Sequence, residues 1–554
     1  MRYHFPLKSF LEWTSLGIFV ILLIAAFKVC YGNNEGGGWQ SADIEQAKTV
    51  DNDDIETKIT PARSGGGVVW GTVQPNRPAE VPAAPAPAPA PATPTPRPAT
   101  PAPAAALPSP TPLTPAPAAA SATVQPSLPA ARPAAPTPGK YLLTSGRKKG
   151  STDLVETLLE VTGEARQINS DLKELKEKME VVAGFRYEER VDQFSPTGQL
   201  VSVRQYNLAK SKMKIGDNLR MPELSSELQT IVCTTDRDKV SLFSPHGSLR
   251  GEQLLLIEDI PGNTLTIDRL LPNREVAIGE SWKISDSVLR SFLSVDAVIS
   301  SNVEAVLTAV ADDMAEIEVV GDVSGVYLGA ATELSVRAKF QFDLSNQRIN
   351  WLGAMIEESR SIGHVGPGVD LIAKLQVKIS PLDKPQSLTD AAMTMISTRP
   401  TPAILQLKYD GGKGPWRFSH DRSWYVYQDE PQSTVLRKLA DGELVAQCNV
   451  ADMGTVDLRT MTTLAKFQED LIAGLGKNFG KVAAAGEYED QRGYKVYKVL
   501  LDGRVDDLSL RWIYHLITDK DGRQSIVVFV VEAAMLDQFA DTDAVLLETF
   551  RLGR

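Results

Sequence analysis

The chain has 554 residues and a formal net charge of −11. That acidic balance, with no long Lys/Arg run, excludes the basic face by which nucleic-acid binders hold phosphates. Only 3 cysteines occur in the whole chain, too few for a disulfide framework or a cysteine-based zinc site.

The N-terminus is the most distinctive segment. A short basic start, with Arg2 and Lys8, leads into "LGIFVILLIAAF", Leu16 to Phe27, which holds no polar side chain. That is the length of a secretory apolar region. A spanning helix needs about 20 apolar residues, and this run approaches that only by recruiting Trp13 to Ser15 and accepting Lys28. Two readings stay open for residues 1–32. A cleaved leader would be processed after Gly32, with Cys30 and Gly32 at the two positions a signal peptidase reads. An uncleaved anchor would bury Leu16, Phe19, Leu22 and Phe27 in lipid, with Trp13 and Tyr31 at the interfaces. "FKVC" lacks the leucine and small residue of a lipobox, so Cys30 is not expected to be lipidated. Either reading exports the chain to the periplasmic side of a cell envelope, with the inner membrane as partner if the segment stays.

Residues 33–139 are expected to be disordered. "VDNDD" within them lacks the spaced glycine and terminal glutamate of a calcium loop. From Pro78 to Pro138 the segment carries more than half of the chain's 36 prolines, with Ala, Thr and Ser filling most of the rest. Proline fixes φ and donates no N–H, so this is a semi-rigid spacer with a contour length of about 190 Å.

Residues 140–183 read as a linker and an amphipathic helix. Asp153 and Glu156 would cap a helix carrying Leu154, Val155, Leu158, Leu159 and Val161. From 184 to 393 the period changes to two. In "TELSVRAKFQFD", Leu334, Val336, Ala338, Phe340 and Phe342 alternate with polar residues, and "VDLIAKLQVKIS" repeats the device from Val369 to Ile379. Such alternation predicts antiparallel strands covered on one face. Leu249 to Ile260 and Ser285 to Ser294 are the predicted helical interruptions. Within this domain "LPNREVAIGESWKI" and the meander ending in "FQFDLSNQRINWLGAMIEES" resemble the β-rich domains of exported bacterial proteins, similar to the LolA/LppX-like lipoprotein carriers. The resemblance implies a curved half-barrel around an apolar cavity. Gly279 and Trp282 of "GESW" read as a turn glycine and a core aromatic.

After a linker at 394–404, residues 405–554 mix both periods. Short strands come first. Then "TTLAKFQEDLIAGLGKNFG" places Leu464, Phe467, Leu471, Ile472, Leu475 and Phe479 on one helical stripe ended by Gly480. Three further strands follow, and Thr542 or Asp543 is placed to cap a final short helix. The "WYVYQDEPQSTVLRKLADGELVAQCNV" and "FADTDAVLLETFRL" segments resemble the PsbP-like family with its Mog-type α/β/α sandwich, which implies a binding or assembly role. The expected fold class is thus α+β, a large curved antiparallel sheet domain followed by an α/β/α sandwich.

No chemical motif emerges. The 5 histidines, His4, His246, His364, His420 and His515, show no HExxH or HxH spacing. "SIGHVGPGVD" surrounds His364 with glycines, but a strand follows it where a phosphate cradle needs a helix. His515 reads as an exposed or half-buried structural histidine. Cys233 and Cys448 read as separately buried thiols. No catalytic, cofactor-binding or metal-binding residue is assigned and no enzyme is expected. Two functions remain: a tethered scaffold for a protein partner, or a carrier of a lipid or other apolar ligand inside 184–393.

Overall fold

The computed structural model describes residues 139–553, apart from 169–172, 195–199, 237–238 and 411. The leader residues Leu16, Phe19, Leu22, Phe27 and Gly32, and the spacer from Pro78 to Pro138, lie outside the described residues.

The first domain holds β1 (Lys140–Leu143), β2 (Thr152–Ile168), β3 (Glu174–Phe194), β4 (Leu200–Ile215), β5 (Asn218–Arg220), β6 (Thr230–Asp236) and β7 (Lys239–Phe243). It continues with α1 (Gly251–Glu258), β8 (Arg274–Ala277), β9 (Ser281–Lys283), α2 (Asp286–Leu293), β10 (Ala297–Ser301) and β11 (Glu304–Ala311). Four long strands complete it: β12 (Met314–Tyr327), β13 (Ala330–Asp343), β14 (Arg348–Arg360) and β15 (Gly368–Pro381). Except for β1 and β8, which pair with each other, these strands form one open sheet in the order β7-β6-β4-β3-β2-β15-β14-β13-β12-β11-β9, with β5 and β10 beside β4 and β12. Its neighbours pair antiparallel.

The predicted alternation holds where it was clearest. Along β13 every second residue from Ala330 to Phe342 is buried. The helices at α1 and α2 also form as expected, and lie on the buried face with Leu254, Ile257, Leu289 and Phe292. Gly279 is a turn glycine at φ 86 and Trp282 is a core aromatic donating Nε1–H to the carbonyl of Leu270. The buried face is filled: side chains of β2, β3, β12 to β15, α1, α2 and the turn Ile267–Leu270 meet in one contiguous core. Each apolar side chain taken fully from water there contributes about 1.5 to 3 kcal/mol.

The helix expected between 140 and 183 is corrected. Residues Thr152–Ile168 are strand β2, paired along its whole length with β3 and β15. Its inward positions include Asp153, Thr157 and Gln167, while Leu154 points the other way. Polar residues on the buried face and a leucine on the other disguised the two-residue period. The sheet domain therefore starts near residue 140.

Residues 382–406 run back over the far side of the first sheet. There, α3 (Asp390–Met395) and α4 (Pro402–Leu405) bring Leu388, Met393, Ile396, Ile404 and Leu405 against Val201, Val203, Val232 and Phe243.

The second domain holds β16 (Leu407–Tyr409), β17 (Trp416–His420), β18 (Trp424–Asp429), β19 (Ser433–Ala440), β20 (Glu443–Thr455) and α5 (Leu464–Leu475). After them come β21 (Phe479–Glu489), β22 (Lys495–Val505), β23 (Leu508–Thr518), β24 (Arg523–Glu532), α6 (Leu536–Phe539), α7 (Thr542–Thr549) and β25 (Arg551–Leu552). Seven of these form an antiparallel sheet ordered β18-β19-β20-β24-β23-β22-β21, and β16, β17 and β25 form a small second sheet. Strands β23 and β24 are buried on both faces, hence the unbroken run "SIVVFVV".

The α/β/α sandwich expected here is corrected. One face is covered by α5, through Phe467, Leu471 and Leu475. The other is covered by aromatics of the small sheet and its surroundings, Tyr409, Trp416, Phe418, Trp424 and Phe550, beside the short α6 and α7. Bulky rings fill the place of a second helical layer, so the domain is dominated by antiparallel strands. Helix α5 also ends earlier than its stripe suggested. Thr463 caps it by accepting from Lys466 N at 3.3 Å, Gly476 follows at φ 52, and Phe479 already opens β21.

Candidate functional site

The two domains meet along a continuous set of contacts. Arg422 donates to the carbonyl of Leu242 at 2.7 Å and to that of Leu405 at 3.0 Å, while Lys408 N donates to the carbonyl of Leu249 at 2.8 Å. Arg250 pairs with Asp410 at 2.6 Å. Farther along, two tight hairpin turns face each other, Leu328–Gly329 from the first domain and Asp441–Gly442 from the second. All four residues have positive φ, the backbone that a two-residue hairpin of this hand requires.

Beside those turns lies a cavity of about 850 Å³. One wall comes from the ends of β2, β3, β4 and β5, with Gln167, Glu177, Ile215 and Arg220; the loop from Ile362 to Pro367 forms a second. The third belongs to the second domain, with Tyr427, Glu430, Arg437, Glu443, Leu444 and Glu532. Arg437 joins the walls. Its guanidinium lies 3.4 Å from the centre of the Tyr427 ring, and its Nη1 donates to the carbonyl of His364. Although its group is 3% exposed, it therefore has both a π face and a carbonyl in place of water.

Behind the first wall two buried acceptors, closed off from the cavity, lack hydrogen-bond partners, Gln167 Oε1 and Glu177 Oε2. Register pairs Ala165 with Glu177 and Gln167 with Leu175, so both side chains share one face of the β2–β3 hairpin. Across the cavity, Glu430 accepts from Gln428 at 3.2 Å, and burial pushes its carboxyl above the ordinary value.

A second polar cluster lies inside the first domain. Arg147 donates to Asp153 at 2.9 Å and to Glu189 at 2.8 Å, and its Nη1 reaches the carbonyl of Thr264 at 2.6 Å. Glu189 also accepts from Ser202, Arg204 and Thr264. Arg348 adds a contact to Asp153 at 3.1 Å. Burial opposes the ionisation of Glu189, but Arg204 and Arg147 outweigh it and hold the carboxyl down at about 2. These groups are enclosed and, apart from Asp153 Oδ1, hydrogen-bonded to one another, and they tie the segment 263–268 to the sheet.

His515 is the sharpest departure from its expected setting. It is 1% exposed, and its Nε2 lies 3.1 Å from Asp543 Oδ2, which Lys498 also reaches at 2.7 Å. Asp543 thus does not cap the last helix; Asp541 occupies that position. Burial lowers the imidazole below its usual value, so it is neutral at pH 7 and donates from Nε2. Cys233 and Cys448 are free and buried, as expected, and burial pushes Cys233 up to about 11.

Among the described residues no group of three or more His, Cys, Asp or Glu could hold a metal ion, and no helix is long and apolar enough to cross a membrane. The loop "SIGHVGPGVD" joins β14 to β15, two strands, as its reading required. Its place on the cavity wall was not visible from the chain.

No family model matches the chain, and no curated protein does. Among solved structures, the outer membrane protein OprD from Pseudomonas aeruginosa aligns over 71% of this chain and 96% of its own, at 8% identity and a TM-score of 0.10. An outer membrane channel from Pseudomonas putida aligns over 72% of this chain and 99% of its own, at 6% identity and a TM-score of 0.10. Superpositions at that score carry no argument about fold, location or activity.

Proposed function

We propose that this chain is an exported, membrane-tethered protein of the cell envelope that acts without catalysis, as a binding and assembly subunit. The apolar N-terminal run and the proline spacer support the tether. The observation that carries the assembly role is strand β21. It ends the seven-stranded sheet, and nearly all of its residues from Phe479 to Glu489 are exposed. Ala483, Ala484, Ala485 and Gly486 at its centre put no bulky side chain beside the open edge. Its outer edge is unpaired among the described residues, and an edge of this length is a template for an added strand. Its occupant is an extended segment of another envelope protein.

The carrier reading has less support. A lipid inside 184–393 needs an empty interior, and side chains of both helices and the strands occupy that face of the sheet.

The assembly role is tested on native gels of membranes holding the full chain. Wild type migrates in a complex larger than the chain itself. Ala484→Lys, an exposed substitution that costs within about 0.5 kcal/mol of stability, releases the chain from it. A wild-type chain that migrates alone contradicts the proposal.

A further inference from the structure

The outer face of the first sheet carries a feature independent of the open edge at β21. Register sets three residues of β14 beside three from each neighbouring strand. Trp351 faces Gln341 of β13 and Lys378 of β15, Gly353 faces Lys339 and Gln376, and Met355 faces Arg337 and Lys374. These positions hold Arg337, Lys339, Lys374 and Lys378 and no carboxylate, in a chain whose net charge is −11. Lys374 and Lys378 are exposed, and among the described residues neither has an ion-pair partner. Glu160 stands opposite Lys374 without pairing with it, and Glu156, opposite Lys378, turns to Arg186 at 3.7 Å. Lys339 is engaged by Glu318 at 2.7 Å.

The centre of this patch is aromatic. Trp282, Trp416, Trp424 and Trp512 are buried, and Trp351 alone among the described tryptophans reaches the surface. Its six-membered ring lies over Gly353, where an added Cβ would fall 2.6 Å from Cη2 and 2.8 Å from Cζ2. Glycine is thus the seat of the ring. The indole N–H has no partner among the described residues and, unlike those of Trp424 and Trp512, is not sealed from water.

We infer that this face binds an acidic polysaccharide, with one sugar ring stacked on Trp351 and the carboxylates of the units on either side paired with Lys374 and Lys378. The C–H face of a sugar carries partial positive charge and meets the negative face of the indole, whose N–H donates to a hydroxyl. Lys374 and Lys378 lie four residues apart, about 13 Å along the strand, so the charges must come from a chain and not from a single sugar. A lipid surface is a poorer match, because a ring laid down on the sheet cannot insert between acyl chains. Nucleic acid carries a phosphate on every unit, and the acidic chain repels it beyond this small patch.

The test is calorimetric titration of the full chain, in zwitterionic detergent, with three hexamers. Hexagalacturonate offers rings and charge, its methyl ester rings alone, and hexaglutamate charge alone. The acidic sugar binds at least about tenfold more tightly than either of the others, the gain expected of charge-assisted hydrogen bonds added to stacking. Lys374→Ser with Lys378→Ser, both exposed, leaves the melting temperature and ester binding unchanged and reduces the acidic sugar to the affinity of the ester. Trp351→Ala weakens both sugars and leaves hexaglutamate as it was. No binding of hexagalacturonate, an ester or hexaglutamate that binds as tightly, or undiminished affinity in the lysine variant would each overturn the inference. So would tighter binding of a thymidylate hexamer or of glycerophosphoglycerol, which would assign the patch to nucleic acid or to lipid headgroups.

Discussion

A Cβ built on Gly442 would stand 3.1 Å from the Cα of Gly329, and one built on Gly329 would run into the carbonyl oxygen of Gly442. The two domains thus touch backbone to backbone at this point. Only glycine permits it: each residue holds a positive φ, at 77° and 84°, where a side chain is strained even in open space. Gly329→Ala is expected to destabilise the protein by more than the about 1 to 2 kcal/mol of the left-handed conformation alone, because the hairpin turn must also withdraw from its neighbour. Gly442→Ala should cost less, since its closest obstacle, at 3.1 Å, has to give by only a few tenths of an ångström. Thermal melting orders the two variants, and limited proteolysis of Gly329→Ala should show faster cleavage near 328–330 and 441–442. Equal melting temperatures for both variants and wild type would contradict the contact.

Glu189 is the hub of the enclosed ion cluster. Glu189→Gln leaves Arg147 and Arg204 buried with a neutral partner, and removing one member of such a cluster costs about 3 to 5 kcal/mol. The pH dependence has a definite sign. The folded carboxyl titrates at about 2, below its ordinary 4.5. Its contribution is therefore complete above about 4.5 and is lost as pH falls from there towards 2. Urea unfolding at pH 7 and pH 3 should show the gap between wild type and Glu189→Gln narrowing at the lower pH. A gap that widens would refute the ion-pair account.

His515 and His420 act at milder acidity. Burial lowers both imidazoles beneath their ordinary 6.5, so the unfolded chain takes up protons that the folded one refuses. Stability is then full above about pH 6.5 and declines as pH falls below it. Replacing His515 with Gln should shrink the decline between pH 7.5 and 5.5, and adding His420→Gln should remove most of what remains. An unfolding free energy whose slope over that interval is the same in wild type and in the doubly substituted chain would exclude this role.

The strands with one polar and one apolar face were legible from the chain, as β13 shows residue by residue. Strand β2 was not, because its inward positions hold Asp153 and Gln167. Each has a reason that only long-range pairing reveals: Asp153 answers Arg147 and Arg348, and Gln167 faces the cavity. The same limit applies to the second domain. Its apolar stripes announced buried faces, but nothing local said that the rings of Trp416, Phe418 and Trp424 would cover one of them in place of a helix. The cavity draws on segments from Gln167 to Met535 and could not be assembled from any periodicity. Nothing local paired the Asp441–Gly442 turn with its facing glycine at 329.

The central claim, that the chain binds a partner by strand addition, is tested most directly by site-specific photo-crosslinking in the envelope of cells producing the full chain. A photoreactive side chain at Ala484, in the middle of the open edge, is compared with one at Glu252, an exposed position on α1 in the other domain. The account predicts one discrete adduct to a second protein from Ala484, absent at Glu252 and lost when Ala485→Lys is added. No adduct from Ala484, or the same adducts from both positions, would contradict it.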